Sequence, residues 1–258
     1  MPVINKSPLR YPGGKTRAVK ILIKAIEENY QGRKTLLSPF LGGGSFELNR
    51  QSNGFKVYAN DLFTPLYKFW IVTQNSKDSL VKKIRSMMPV SKENFYHLRK
   101  QILETNDDVE VASMYFIINR CSFSGSTFCG GFSQESSQTR LTESSIERIL
   151  QTDLSNTIIS NVDYKVFLQQ HPETSDTVLY ADPPYYIDSY IYGRDGDLHQ
   201  AFDHEEFATE IKRRNDWVVC YNDCEYIRNL YKDNRIENVS WSYGMNKTKK
   251  SSEILIFP

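Results

Sequence analysis

The sequence predicts an α/β fold built on a mainly parallel sheet, and three observations carry that expectation. Short apolar runs recur along the chain, most of them end in a polar or acidic residue, and helix-like stretches separate them. Taken in order, residues 35 to 41 (TLLSPFL) form a first apolar run that ends in Gly42-Gly43-Gly44, and SFELNRQ after it has helical character. Residues 55 to 61 (FKVYAND) give a second strand ending in an acid. TIISNVD ends in Asp163, TVLYAD in Asp182, and residues 216 to 223 (DWVVCYND) repeat the pattern. The last segment, YGMNKTKKSSEILIFP, reads as a basic loop followed by a terminal strand.

Between about residues 66 and 156 the pattern changes. SLVKKIRSM and VEVASMYFIINR are amphipathic, SFSGSTFCGGFSQESSQT is a polar, glycine-containing hairpin or loop, and no parallel-strand signal appears. This part is expected to be an inserted, mainly helical module.

With 258 residues, 40% of them hydrophobic, the chain has enough apolar surface for a full core. It has no run near the roughly 18 to 20 apolar residues of a membrane span and no signal-like apolar run near Met1, so a cytoplasmic location is expected. Of the four cysteines, Cys220 and Cys224 form a C-x3-C pair, but no second pair completes a metal set; free thiols and no metal are expected. A net charge of +1 excludes a uniformly basic shell, so any nucleic-acid face has to be local.

In an open α/β sheet ligands bind at the carboxyl ends of the strands, where this chain places its unusual residues. The glycine turn lets a ligand approach the backbone and aims helix N-terminal amides at it. Asp61, about twenty residues on, stands where nucleotide-binding folds put the acid that holds ribose hydroxyls. Each signal alone is weak, since glycine turns and strand-end acids are usually connectors; together they point to a nucleoside ligand. In Asp182-Pro183-Pro184-Tyr185 the two prolines remove amide donors and leave carbonyl acceptors, which suits a substrate that donates hydrogen bonds. An exocyclic amine of a base is such a substrate: two acceptors on its hydrogens push the nitrogen towards tetrahedral geometry and free its lone pair. The tyrosine is expected to offer a face on which a base taken out of the duplex stacks.

SPLRYPGGK (residues 7 to 15), SPFLGGGSFEL (38 to 48), YANDL (58 to 62), NVDY (161 to 164) and LYADPPY (179 to 185), in this order, resemble the Dam-type, alpha-class DNA adenine N6-methyltransferases. NRCSFSG (119 to 125) and the chain's ending add to the likeness. The resemblance implies a Rossmann-like S-adenosylmethionine methyltransferase sheet formed by residues 1–65 and 157–258, with 66–156 as an inserted, mainly helical target-recognition domain. It implies S-adenosyl-L-methionine as cofactor, double-stranded DNA as partner and methyl transfer to the N6 amine of a flipped adenine, by a monomer. A cognate restriction endonuclease acting separately is a compatible companion.

Carried over residue by residue, the resemblance implies cofactor contacts from Tyr11, Lys15, Phe40, Gly42, Gly44, Asp61, Asp163 and Asp182. Lys15 would neutralise the methionine carboxylate and Tyr11 would lie near the sulfonium. Asp182, Pro183, Pro184 and Tyr185 form the catalytic set. Ser38 departs from the pattern, because the family commonly has an acid two residues before the loop phenylalanine. DNA contacts are expected from Asn119, Arg120, Phe128 and Arg140, with Phe123 and Phe132 beside the displaced base, and phosphate contacts from Lys247, Lys249 and Lys250. Three alternatives stay open: the cytosine N4 amine of DNA or an RNA adenine, where the Asp182 acid favours adenine; an inactive DNA-binding relative, against which the glycines, Asp61, Asp182 and Tyr185 all count; and a nucleotide-binding oxidoreductase, which leaves D-P-P-Y unexplained.

Overall fold

A computed structural model describes residues 5–186, 202–241 and 252–258. Its centre is a seven-stranded sheet in the order β3-β2-β1-β4-β5-β7-β6. β1 (Thr35–Ser38), β2 (Lys56–Asn60), β3 (Thr157–Ser160), β4 (Thr177–Ala181) and β5 (Trp217–Asn222) are parallel, while β7 (Glu253–Phe257) runs antiparallel between β5 and β6 (Arg235–Val239). β4 and β7 are buried at every position and β5 at all but the last, as strands covered on both faces require.

Between the strands run α1 (Val19–Asn29), α2 (Ser45–Ser52), α3 (Thr64–Asn75), α4 (Lys77–Ser86), α5 (Lys92–Gln101), α6 (Asp108–Cys121), α7 (Gln134–Thr139), α8 (Glu143–Gln151), α9 (Tyr164–Gln170), α10 (His204–Ile211) and α11 (Glu225–Leu230). None of the described helices is long and apolar enough to cross a membrane. The segment from α3 to α8 lies between β2 and β3 and contains no strand among its described residues. Its axis is α6, read from the sequence as amphipathic but buried at every residue from Val111 to Cys121, Ser113, Asn119 and Arg120 included, because its neighbours enclose it on all sides. The core is continuous from these helices to the sheet face carrying Leu36, Val57 and Val178.

Strand order reverses between β1 and β4, so the connections leaving their carboxyl ends diverge and open a crevice. The glycine loop follows β1 and the D-P-P-Y segment follows β4. One strand differs from the sequence expectation. The polar strand β6 escapes detection because RIENV is a mostly solvent-facing edge strand with no alternating apolar face. Residues 122 to 139 form a hairpin with a Ser122–Phe132 antiparallel bridge and two 3-10 turns, then the short helix α7. Lys247, Lys249 and Lys250 lie outside the described residues.

Candidate active site

A cavity of about 280 Å³ occupies the crevice. Tyr11, Lys15, Phe40, Gly42, Gly44, Asp61, Asp163, Asp182 and Pro184 all lie on its wall, although they come from five separate stretches of chain.

The glycine loop is shaped by Tyr11. A Cβ on Gly42, whose φ is +49°, would stand 2.9 Å from the Tyr11 ring, and one on Gly43 would stand 2.7 Å from the Tyr11 Cβ. Only glycines therefore allow the N-terminal segment to lie across the loop. Gly44 adopts φ +64° to turn the chain into α2. From beneath, the Trp70 indole N–H on α3 donates to the Gly42 carbonyl at 3.0 Å.

Asp61 leaves β2 and accepts from the Gly42 amide at 2.8 Å through Oδ2 and from the Phe63 amide at 3.0 Å through Oδ1. Burial outweighs these bonds and pushes its carboxyl up to about 6. Each oxygen keeps a lone pair for a ligand. Asp163 caps α9 by accepting from the Lys165 amide at 2.8 Å and also borders the cavity. Phe40 packs edge-on against Phe202 and Phe207 and at a tilt against Tyr164, with centroids 5.5 to 5.8 Å away.

Two residues of YANDL to which the sequence assigns no role complete this end. Asn60, 1% exposed, donates to the carbonyls of Pro39 and Val162 and accepts from the Val162 amide, tying together the chain segments that leave β1, β2 and β3. Leu62, 51% exposed beside Asp61, gives the wall an apolar surface suited to a base. Its sequence signal was only its place after the strand-end acid.

At the other end, Asp182 has two unlike oxygens. Oδ2 accepts from the Lys15 ammonium at 2.8 Å, whereas Oδ1 is buried with no hydrogen-bond partner. Burial is the largest influence on this carboxyl and lifts it to about 6; Lys15 opposes the rise and Glu253 adds to it. Lys15 borders the cavity, as expected of a cofactor contact, but its ammonium points to protein groups. Its ammonium has three N–H groups, and Asp182, the Tyr185 hydroxyl at 2.7 Å and the Gly13 carbonyl at 3.0 Å take them up. Lys15 thus braces the catalytic segment from within.

Tyr185, expected to offer a stacking face, is held within the protein in the same way. Its ring is 7% exposed in the core, and its hydroxyl donates to the buried Glu253 carboxylate of β7, which also accepts from the Cys220 thiol at 3.2 Å. No broad ring face is presented to solvent. The exposed aromatic at this strand end is Tyr186, 46% exposed and stacked on Tyr226 at 4.2 Å. Pro183 is buried and Pro184 half-buried.

Three of the expected DNA contacts lie inside the protein. Asn119 is fully buried, accepts from the Arg10 amide at 2.9 Å and donates to the Arg10 carbonyl at 2.5 Å, like a strand partner for that residue. Arg120 is 4% exposed and donates to the Pro8 carbonyl; burial, with Arg148, Arg10 and Arg140 nearby, pulls it down to about 9. Phe128 is 3% exposed and packs edge-on against Phe63 at 5.6 Å. None of the three presents an accessible side chain in the free protein. Phe132 is half-buried against Phe95, whereas Phe123 at the hairpin is 69% exposed and Arg140 at the end of α7 is exposed.

Fold and crevice define an α/β protein with a cavity at the switch point of its sheet, suited in shape and lining to a nucleoside-type ligand, beside the D-P-P-Y segment. Within that class, the model of the D12 class N6 adenine-specific DNA methyltransferases matches residues 11–245, and the chain belongs to this family. A search among curated proteins returned no match.

Proposed function

We propose that this protein transfers a methyl group from S-adenosylmethionine to the N6 amine of an adenine turned out of double-stranded DNA, with Asp182 as the residue that receives the amine. The unpartnered Oδ1 of Asp182 carries this reading. A buried acceptor left unsatisfied costs roughly 1 to 3 kcal/mol, and an amine hydrogen placed there removes that cost. Lys15 holds the other oxygen, so the carboxylate is oriented before substrate arrives.

The cavity residues fit this cofactor. Asp61 offers lone pairs to ribose hydroxyls, Leu62 and Phe63 offer apolar surface to the adenine, and the Gly42–Gly44 backbone forms part of the wall. When bound, the cofactor supplies an electrophilic methyl on a positively charged sulfur. Asp182 Oδ1 and the Pro183 carbonyl then each accept one hydrogen of the adenine amine, turning its lone pair out of conjugation. As the nitrogen forms its new bond it becomes cationic, and Asp182 stabilises that charge and accepts the departing proton directly or through water. Tyr185 and Glu253 keep the backbone of the segment fixed beneath.

Residues 66–156 are proposed as the recognition part, with Phe123 as an apolar wedge beside the displaced base and Arg140 as a phosphate or base contact. Lys247 and Lys249 remain proposed phosphate contacts. Incubation with tritiated S-adenosylmethionine and unmethylated DNA, followed by nucleoside analysis, is expected to give labelled N6-methyladenine. Label in N4-methylcytosine, or in RNA alone, would overturn the substrate.

A further inference from the structure

Glu47 is a second buried carboxylate on this cavity; it lies within SPFLGGGSFEL, but the sequence assigns it no role. It sits in the first turn of α2, is 4% exposed and lines the wall. Its Oε1 accepts from the Ser38 hydroxyl at 2.7 Å. Beyond its own amide and Ser38, it has no hydrogen-bond partner and no ion pair among the described residues.

A capping role does not account for this. A glutamate at the third helical position usually accepts from the amide of the capping residue. Here the Gly44 amide is bonded instead to the Leu41 carbonyl at 2.9 Å. Nor does an internal cation serve it. Of the described residues, Asp182 and Lys15 are the charged groups that bear on Glu47, and the Lys15 ammonium is already engaged by Asp182, Tyr185 and Gly13. Asp182 and Glu253 pair with that ammonium, and Glu47 feels it only from outside ion-pair distance. Burial pushes Glu47 up to about 7, the cost of an anion without a counter-ion.

Such a site is complementary to a cationic ligand group, and its place says which. Asp61 marks the nucleoside end of the cavity and Asp182 the reacting end. Glu47 is electrostatically coupled to Asp182. A ligand tail that branches from the reacting sulfur, and so continues past it, ends here.

We propose that Glu47, held by the Ser38 hydroxyl, binds the α-ammonium of the cofactor's amino-acid tail. This rests on the S-adenosylmethionine reading above. Ser38 then ceases to be a gap in the motif: the acid has moved from the strand end to the helix nine residues on, and the serine orients it.

The test is calorimetric binding of two probes to the full chain, native and Glu47→Gln. S-adenosylmethionine carries the tail; 5′-methylthioadenosine has the same nucleoside and sulfur without it. Glutamine keeps the size of the side chain and the acceptor for Ser38. Expected is a ten- to hundred-fold weaker affinity of the variant for S-adenosylmethionine, with binding of methylthioadenosine unchanged. Unchanged S-adenosylmethionine affinity, or an equal loss for both probes, overturns the assignment. Failure of the native chain to bind S-adenosylmethionine while it binds methylthioadenosine overturns the cofactor reading itself.

Discussion

At the scale of residues, the site is governed by how one lysine is shared. Lys15 favours the charged form of Asp182, while burial and Glu253 favour the neutral form, and the carboxyl settles at about 6. Only the ionised form accepts from both Lys15 and the substrate amine, so turnover is expected to rise with pH through about 6. Replacing Lys15 by Met removes the group that lowers this value, and the acid limb of the pH–kcat profile should move upward. An unmoved limb in a folded variant would detach Lys15 from Asp182. The same residue shows the limit of motif reading. A lysine after Pro-Gly-Gly is visible in the sequence, but the direction of its ammonium depends on Tyr185, 170 positions away, and on Glu253, which no motif singles out.

Among the elements, the segment from Ser7 to Lys15 is the most connected. One end is clamped by Asn119 and Arg120 of α6, the middle lies over the glycine loop, and the other end is Lys15. The hairpin closes on it as well, since a Cβ on Gly125 would stand 2.7 Å from the Arg10 Cβ. The helical segment and the catalytic loop therefore share a physical link. Asn119→Ala leaves the amide and carbonyl of Arg10 without this partner, so a loss of about 2 to 4 kcal/mol is expected in denaturant unfolding. A loss under about 0.5 kcal/mol would contradict the clamp. Phe123→Ala, by contrast, removes an exposed ring: stability should hold, while DNA affinity falls by about 1 to 3 kcal/mol. Unchanged affinity would remove the wedge. This division explains why NRCSFSG was legible as a motif but misleading as a list of contacts. Residue type and spacing mark a segment as special, whereas burial decides which of its side chains face inward, and burial is set by the packing of α6 on α3 and by Arg10.

For the whole molecule, the sheet, its mainly parallel order and the helical segment between β2 and β3 were readable, because the parallel strands carry their own apolar runs and most end in a polar or acidic residue. β6 was not, since an edge strand of charged residues takes its structure from pairing with β7. The acids that make the crevice also make the free protein less stable. Glu47 has its carboxyl raised from 4.5 to about 7 in the folded state. A raised acid contributes stability that is fully present below the unfolded value and lost as pH rises through the folded one. Glu47→Gln should therefore gain stability relative to the native chain between pH 4.5 and about 7, by an amount on the order of 3 kcal/mol. Thermal melts of both proteins across that range check it, and a constant difference would contradict the raised acid. Cofactor should narrow the gap.

The central claim is that Asp182 receives the target amine. Asp182→Asn keeps the size of the side chain but replaces an acceptor with an amide that can donate towards the substrate. Labelled N6-methyladenine formation should fall by at least about a hundred-fold in this variant while S-adenosylmethionine and DNA still bind. Methylation near the native rate by a folded Asp182→Asn protein would contradict the account.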